Sequence, residues 1–451
     1  MYPQSCTDAT RFAGETHRIS DEISQVGRTC RDDTHFSGES SLFKPGDVLI
    51  QKFGGSSVAS PERLLKVAER LAHAARAGRK IAVVVSAMGD TTDDLISLMH
   101  AVNRDPDLRE LDQLMATGEL VSCSLLASAL TRFGVRARSF NALNLQIETD
   151  DRFGSAEILH FRKTDVLARF LEPGSVAVVA GFQGLTSTGE LTTLGRGGSD
   201  ITAVALAREL GQRVCEKLTD EDGIYTADPR VVPSARKVWH LDYDEMETLA
   251  CYGNGILHPR AIEYARRSSM RIHVRSSFSH DEGTVIGPDG DLSVPIKSIA
   301  GDKKQAVVSI SGIRKTIDPR LIGKVRDDQE GFPVTAREWR PESDGEGSLR
   351  VGFKYADAFD ALPTLWREAD RFEADDLIFH SRLVVISVVG CGLKTKGIHT
   401  RRFLTAIEEA GIRPLLVEHD GLRLTIAVSL DIAGAAMEIL HRTVIEVNNV
   451  R

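Results

Sequence analysis

The chain has 451 residues, 42% of them hydrophobic, with 56 basic and 64 acidic side chains and a net charge of −8. At roughly 150 residues per domain this is enough chain for about three globular units with sizeable cores. The acidic balance without a Lys/Arg block argues against nucleic acid or an anionic membrane as partner; no apolar run reaches the ~18 residues of a spanning helix, and the polar N-terminal stretch lacks the apolar core of a secretory signal, so a cytoplasmic protein is expected.

Residues 1–45 are rich in Ser, Thr, Asp, Arg and Gly without apolar periodicity, and read as a disordered or loosely ordered arm with a short helix around Ile19–Val26. From Asp47 the pattern becomes regular. DVLIQKF is an apolar strand that runs into the turn Gly54-Gly55-Ser56-Ser57. Ser60-Pro61 marks a helix start, and Leu64, Leu65, Ala68, Leu71, Ala72 and Ala75 recur at helical spacing until Gly78. Ile81–Ala87 and Ser175–Phe182 are β-branched runs of the kind produced by a sheet covered on both faces. Ile201, Val204, Ala207 and Leu210 mark another amphipathic helix. Strand–helix alternation over Asp47–Gly287 predicts an α/β domain, residues 46–290, with a mostly parallel central sheet. Beyond it the chain reads as two small α+β modules, 300–381 and 382–451, with strands at Gln305–Ser311, Ser348–Phe353, Arg382–Gly390 and Leu422–Val428 and helices at Thr400–Ala410 and Ile432–Leu440. Six scattered cysteines (Cys6, Cys30, Cys123, Cys215, Cys251, Cys391) form no Cys-x-x-Cys pair, which fits buried thiols rather than a zinc site or a disulfide framework.

Three Gly-rich turns follow strands: Lys52–Ser57, Gly195–Asp200 and the Gly223 turn in Thr219-Asp220-Glu221-Asp222-Gly223. Glycine lets backbone N–H groups approach an anion, and a following helix N-terminus adds a favourable dipole. The lysine ahead of the first pair supplies a mobile cation, and the arginine within the second suits a bidentate grip on a carboxylate. The GxxxxGK[ST] loop, the dinucleotide fingerprint and the protein-kinase HRD and DFG signatures are absent, so a phosphoryl-transfer site here has another architecture. His258 reads as a structural hydrogen-bonder. No HxxH, HExxH or DxDxDG spacing points to a metal cage made by the protein.

KFGGSS (Lys52–Ser57), VVSAMGDTTDDL (Val84–Leu95), ATGE (Ala116–Glu119), AGFQGLTSTGELTTLGRGGSD (Ala180–Asp200), LTDEDGIYTADPR (Leu218–Arg230) and GILHPRAIEYA (Gly255–Ala265) together resemble the aspartate kinase family, in that family's order. VVGCGLKTKGIHTRRFLTAIEEAGI (Val388–Ile412) resembles its paired ACT regulatory modules. The resemblance implies an amino-acid-kinase-type three-layer α/β domain followed by two ferredoxin-like ACT modules, and phosphorylation of the L-aspartate side chain by ATP with Mg²⁺. A carboxylate nucleophile is already ionised near neutrality, so no base is needed. The task is to bring two anions together and to neutralise the transferred phosphoryl group. By similarity Lys52 and Asp200, with Gly55 and Gly198, form the catalytic group. Ser86, Thr92, Glu119, Arg196, Gly197 and Ser199 would take the amino acid, Arg196 on its α-carboxylate and Glu119 on its ammonium. Lys52, Phe53, Gly54, Gly55, Ser56, Thr219, Asp220, Tyr225 and Arg230 would take the nucleotide. No protein metal ligand is implied, the magnesium being carried mainly by phosphate oxygens.

Three departures stand out. Where the family has a lysine near the phosphates this chain has Gly255, leaving Lys217 or Arg260 as substitutes; Leu218 replaces the tyrosine before Thr-Asp; and Asn144-Leu145-Gln146-Ile147 replaces a QAGI stretch beside the expected substrate pocket. Pro319-Arg320 stands where the first module usually has Pro-Gly, the second keeps Gly397, and its TSE segment is replaced around Glu418-His419-Asp420-Gly421. Weak or absent feedback inhibition by lysine or threonine is expected, with the ACT modules serving a homodimer or higher homo-oligomer by covering their edge strands. Two other readings are a pathway-specialised homologue acting for a secondary product or on a related amino acid, and a catalytically silent sensor or assembly subunit.

Overall fold

In the computed structural model the chain divides into two units, Met1–Lys44 and Pro45–Arg451. The structure describes residues 42–44, 46–291, 293–314, 334–341, 346–394 and 397–446; the expectations for the arm and for Pro319-Arg320 lie outside the described residues.

The first strand, Val48–Phe53, leads through the glycine turn to helix Pro61–Arg76. Ser60 caps this helix by accepting the Arg63 N–H at 3.3 Å, and Pro61 occupies the first turn, where its missing N–H costs nothing. Its Leu64, Val67, Ala68, Leu71, Ala72 and Ala75 are buried. The central sheet has eight strands in the order His240–Asp242, Thr284–Gly287, Arg271–Ser276, Val214–Thr219, Val48–Phe53, Lys80–Val85, Ser175–Ala180, Arg136–Phe140. Every neighbour pair is parallel except Arg271–Ser276 with Thr284–Gly287. The apolar run Ile81–Val85 is wholly buried, as expected for a strand with helices over both faces. Helices Pro61–Arg76 and Thr117–Arg132 pack together, and helix Gly198–Glu209 packs against the sheet and against Pro259–Arg267. Ile50, Ala82, Val84, Ala177 and Val179 of the sheet share one core with Ile201, Val204 and Ala205. The domain is therefore the three-layer α/β unit expected. The stretch Leu108–Arg132 is long and apolar enough by composition to cross a bilayer, yet 56% of its most apolar window is buried in the protein.

The C-terminal part is one six-stranded antiparallel sheet in the order Val334–Pro341, Gly347–Lys354, Ser298–Ile313, Asp376–Val389, Arg423–Ser429, Leu416–His419. Two strands, Ser298–Ile313 and Asp376–Val389, run through both modules. Ser298–Asp302 pairs with Val385–Val389, whereas Val307–Ser311 pairs with Asp376–His380. Ile296 and Ile299 bury in one core with Ile386, Phe403 and Ile426, while Ala306–Ile313 contributes to another with Leu349, Phe353 and Leu365. The expected boundary at residue 300 thus falls inside a strand, and the first module is nested within the second. The sheet's two edge strands also approach each other, Val417 N–H donating to Glu338 Oε2 at 3.2 Å.

Candidate active site

Parallel pairing brings the carboxyl ends of Val48–Phe53, Lys80–Val85, Ser175–Ala180 and Val214–Thr219 to one rim, where ligands of such sheets bind. Register sets the charges. Lys52 is directly opposite Lys217 on the neighbouring strand, and both ammonium groups converge on Asp200 in the first turn of helix Gly198–Glu209. Lys217 Nζ donates to Asp200 Oδ2 at 2.5 Å, and Lys52 Nζ lies 2.8 Å from Oδ1 as an ion pair without an aligned hydrogen bond. All three side chains are buried. Burial opposes the charge on Asp200, but Lys217 and Lys52 outweigh it and hold the carboxyl below its ordinary range. Burial, aided by repulsion from Lys52, pulls Lys217 below the usual lysine range despite Asp200. The cluster carries two cations against one anion, so a ligand's negative charge would complete it.

The second turn is shaped by glycine. Gly197 caps helix Gly198–Glu209 with φ 76°, and a Cβ there would stand 2.4 Å from the His258 Cβ. Gly55 lies against the next turn, where a Cβ would meet the Ala87 carbonyl oxygen at 2.9 Å. Between Gly195 and Gly197, Arg196 is exposed and has no ion-pair partner among the described residues. Its loop is pinned from below. Arg260 donates to the Leu194 carbonyl at 2.5 Å and to those of Ser155 and Ala156, and Asp112 accepts from Thr193 N–H, Thr193 Oγ1 and Gly154 N–H at 2.6–2.9 Å. Arg260 is therefore a clamp on the loop and not a substitute for the missing cation. His258 accepts the Arg260 N–H at 3.3 Å as the cap of helix Pro259–Arg267, in keeping with a structural role.

Glu119, on helix Thr117–Arg132, is 2% exposed. Its Oε1 accepts the Ala87 N–H at 3.0 Å, and its Oε2 has no partner. Burial lifts it to about 7, against the pull of that N–H and of the Lys52 charge. Ser86 closes the adjacent turn, its N–H donating to the Phe53 carbonyl at 3.3 Å, and Thr92 stands half-buried in the first turn of helix Thr91–Val102. Ser199 is buried against Gly181.

Lys52, Gly54, Gly55 and Ser56 also line a cleft of about 860 Å³ together with Lys217, Thr219, Asp220, Tyr225 and Arg230. Arg230 is paired with Asp228 at 2.9 Å, so it brings little unbalanced charge. Phe53 and Leu218 do not line the cleft; both are wholly buried, which removes Phe53 from the wall and makes the Leu218 replacement a core change. Asn144 is not among the residues lining this cleft either; it forms a reciprocal cap with Asn141 at 3.0 and 3.1 Å. Gly255 does line the cleft, and a Cβ there would meet nothing within 4 Å. From the sequence alone Lys217 is expected only as a substitute for the missing cation. Its signal was available: Val214–Thr219 is a buried strand ending at the Thr-Asp turn, and Lys217 lies two residues before its end.

A profile of the amino acid kinase family matches residues 47–276. An aspartokinase from Thermus thermophilus is 37% identical over 403 residues, spanning 88% of this chain and 98% of that protein. An aspartokinase from Corynebacterium efficiens is 36% identical over 401 residues, spanning 87% and 95%. Among solved structures, E. coli aspartokinase III in complex with aspartate and ADP in the R-state shares the fold with a TM-score of 0.69 at 22% identity, over 88% of this chain and 99% of that one.

Proposed function

Because the chain belongs to the amino acid kinase family and, within it, to the aspartokinases, we propose that ATP and L-aspartate meet over the Lys52–Asp200–Lys217 cluster. The enzyme is an ATP-dependent kinase that transfers the γ-phosphoryl group to the side-chain carboxylate of L-aspartate, giving 4-phospho-L-aspartate. One observation carries the placement: two buried ammonium groups share a single carboxylate at the strand rim, between the glycine turns and the unpartnered carboxylate oxygen of Glu119.

Lys52 is the phosphoryl-bridging cation, free to leave its unaligned contact with Asp200. Asp200 holds both lysines in register, and the N–H groups of Gly55 and Gly197 offer donors to the phosphate oxygens, whereas those of Gly54 and Gly198 are engaged by the Leu218 and Gly195 carbonyls at 3.3 and 2.9 Å. Arg196 grips the α-carboxylate and Glu119 the ammonium, with Ser86 and Thr92 beside them. Thr219, Asp220 and Tyr225 line the nucleotide's end of the cleft. Magnesium, carried by the nucleotide, would neutralise phosphate charge that the protein's own cations leave unbalanced. The test is ATP-dependent hydroxamate trapping of the acyl phosphate with aspartate, glutamate and their homologues. Signal confined to aspartate is expected. Turnover of another acid favours the pathway-specialised reading, and no turnover by folded protein favours the silent one.

Weak or absent feedback inhibition by lysine or threonine is the regulatory reading. It is supported by the segment that replaces TSE: Glu418 and Asp420 are engaged by Arg423, which also donates to the Thr335 carbonyl at 2.9 Å. Strong inhibition at micromolar effector overturns it. A homo-oligomer through the regulatory modules is now supported less by open sheet edges, which lie against each other, than by an exposed stripe of Tyr355, Phe359 and Trp366 on helix Tyr355–Arg371. Light scattering of Trp366→Asp should show a smaller particle than the parent; an unchanged mass removes this face from the assembly.

A further inference from the structure

The cleft is not built by the catalytic domain alone. Its far wall includes Ile299, Gly301 and Lys303 of strand Ser298–Ile313 and Ala433, Gly434 and Met437 of helix Ala433–Leu440. The loop leading to Arg230 is fastened to this wall. Ser298 Oγ donates to the Tyr225 carbonyl at 2.7 Å, Ile299 N–H donates to the Thr226 carbonyl at 2.8 Å, and Ala227 and Val232 bury in the second module's core.

The Thr226 hydroxyl makes a further contact, 2.8 Å from Nε2 of His441, a side chain with no exposed surface. His441 opens a π-helical turn, His441–Ile445, directly after helix Ala433–Leu440; such turns are frequent at functional sites. The hydrogen-bond inventory gives the contact a direction. Burial lowers the basicity of the ring, against the pull of Glu446, so it is neutral at physiological pH. Nδ1 faces Glu446 Oε1 at 3.2 Å and Ser234 Oγ at 3.4 Å; a carboxylate there only accepts, which assigns the ring proton to Nδ1. Nε2 is then an acceptor, and the Thr226 hydroxyl donates to it while accepting the Arg236 N–H at 2.9 Å.

We propose that His441, in the second regulatory-type module, is a positioning residue for the nucleotide: through Nε2 it holds Thr226, and with it the cleft-lining segment Ala227–Val231, in the form that receives ATP. The inference rests on the placement of ATP in this cleft. A side chain that only filled space would be replaceable by an apolar ring of similar size; one that holds the loop needs an acceptor at Nε2.

The experiment is steady-state kinetics of the full chain with ATP and L-aspartate varied in turn. His441→Phe is expected to raise the KM for ATP about tenfold, the effect of losing one hydrogen bond and leaving a buried hydroxyl unpaired, with kcat and the aspartate KM within about twofold of the parent. Thr226→Val should reproduce this, and His441→Gln, whose amide oxygen can take the place of Nε2, should restore the ATP KM to within about twofold of the parent. An unchanged ATP KM in His441→Phe or Thr226→Val overturns the proposal, as does a loss spread evenly over kcat and both KM values. If His441→Phe does not fold, Thr226→Val decides. Tyr225→Ala separates the two levels. If it raises the ATP KM while the other variants do not, only the role of His441 falls; if none of them moves it, the placement of the nucleotide falls too.

Discussion

At the scale of single residues the site is an arrangement of charges whose balance is set by burial. Asp200 is the hinge of that balance. Lys52→Ala leaves Asp200 paired with Lys217, so the fold should persist while kcat falls by about 10²–10³-fold, the usual effect of deleting a group aimed at developing charge. Asp200→Ala instead strands two buried ammonium groups beside each other and should cost about 3–5 kcal/mol in denaturant melts. Equal stability of the two variants would refute this division. Glu119 predicts a pH dependence. Its carboxyl is lifted to about 7 chiefly by burial, and a substrate ammonium held there, as proposed, would pair only with the ionised form. The kcat/KM for aspartate should therefore be level above about pH 7 and fall about tenfold per unit below it, a limb that Glu119→Gln should abolish. A profile flat from pH 5 to 8 in the parent would place the ammonium elsewhere. Lys52, Asp200, Glu119 and Arg196 were legible in the sequence because their motifs are contiguous. The Lys217 pairing was not, because it depends on strand register.

At the scale of elements, turns that follow parallel strands do the work, and what each turn tolerates depends on what lies against it. Gly197 combines a left-handed backbone with a His258 side chain closer than any Cβ permits. Gly255 is the opposite case, a glycine with open space around it in a cleft lined by Asp220, Glu221, Asp222 and Asp228. Gly255→Lys should therefore fit without strain and lower the KM for ATP roughly fivefold, as for an ion pair worth about 1 kcal/mol. An unchanged or raised KM in isothermal or kinetic measurement would show that this wall does not face the phosphates. Helix and strand boundaries in the catalytic domain followed from capping and apolar runs, Ser60-Pro61 and Ile81–Val85 being clear examples. Arg260 shows the limit of such reading. A basic residue close in sequence to Gly255 suggests a substitute for the missing lysine, but three carbonyl groups from distant turns engage it.

At the scale of the whole molecule the catalytic and regulatory parts are joined by polar side chains as well as by chain. Glu245 Oε1 accepts the Cys391 N–H at 3.1 Å, and Arg423, 3% exposed, stacks 3.7 Å from the ring of Tyr252, immediately before the cleft-lining Gly253–Ile256. Burial raises Glu418, with Arg423 opposing it, so Arg423→Ala would leave a half-buried carboxyl without its closest cation and empty the buried space that the Arg423 side chain fills. That variant should lose about 3–5 kcal/mol in chemical denaturation; a loss below about 1 kcal/mol would reduce the joint to a surface contact. By itself the sequence determined the α/β class, because that depends on local periodicity, and its motifs, through their resemblance to a known family, implied an already ionised nucleophile, because contiguous motifs survive without knowledge of the fold. Only the tertiary structure decided which cations share Asp200, that the first C-terminal module is nested in the second, and that the second module lines the cleft in front of Lys52 and Lys217. These depend on strand register and on packing between segments far apart in the chain, which no local pattern encodes.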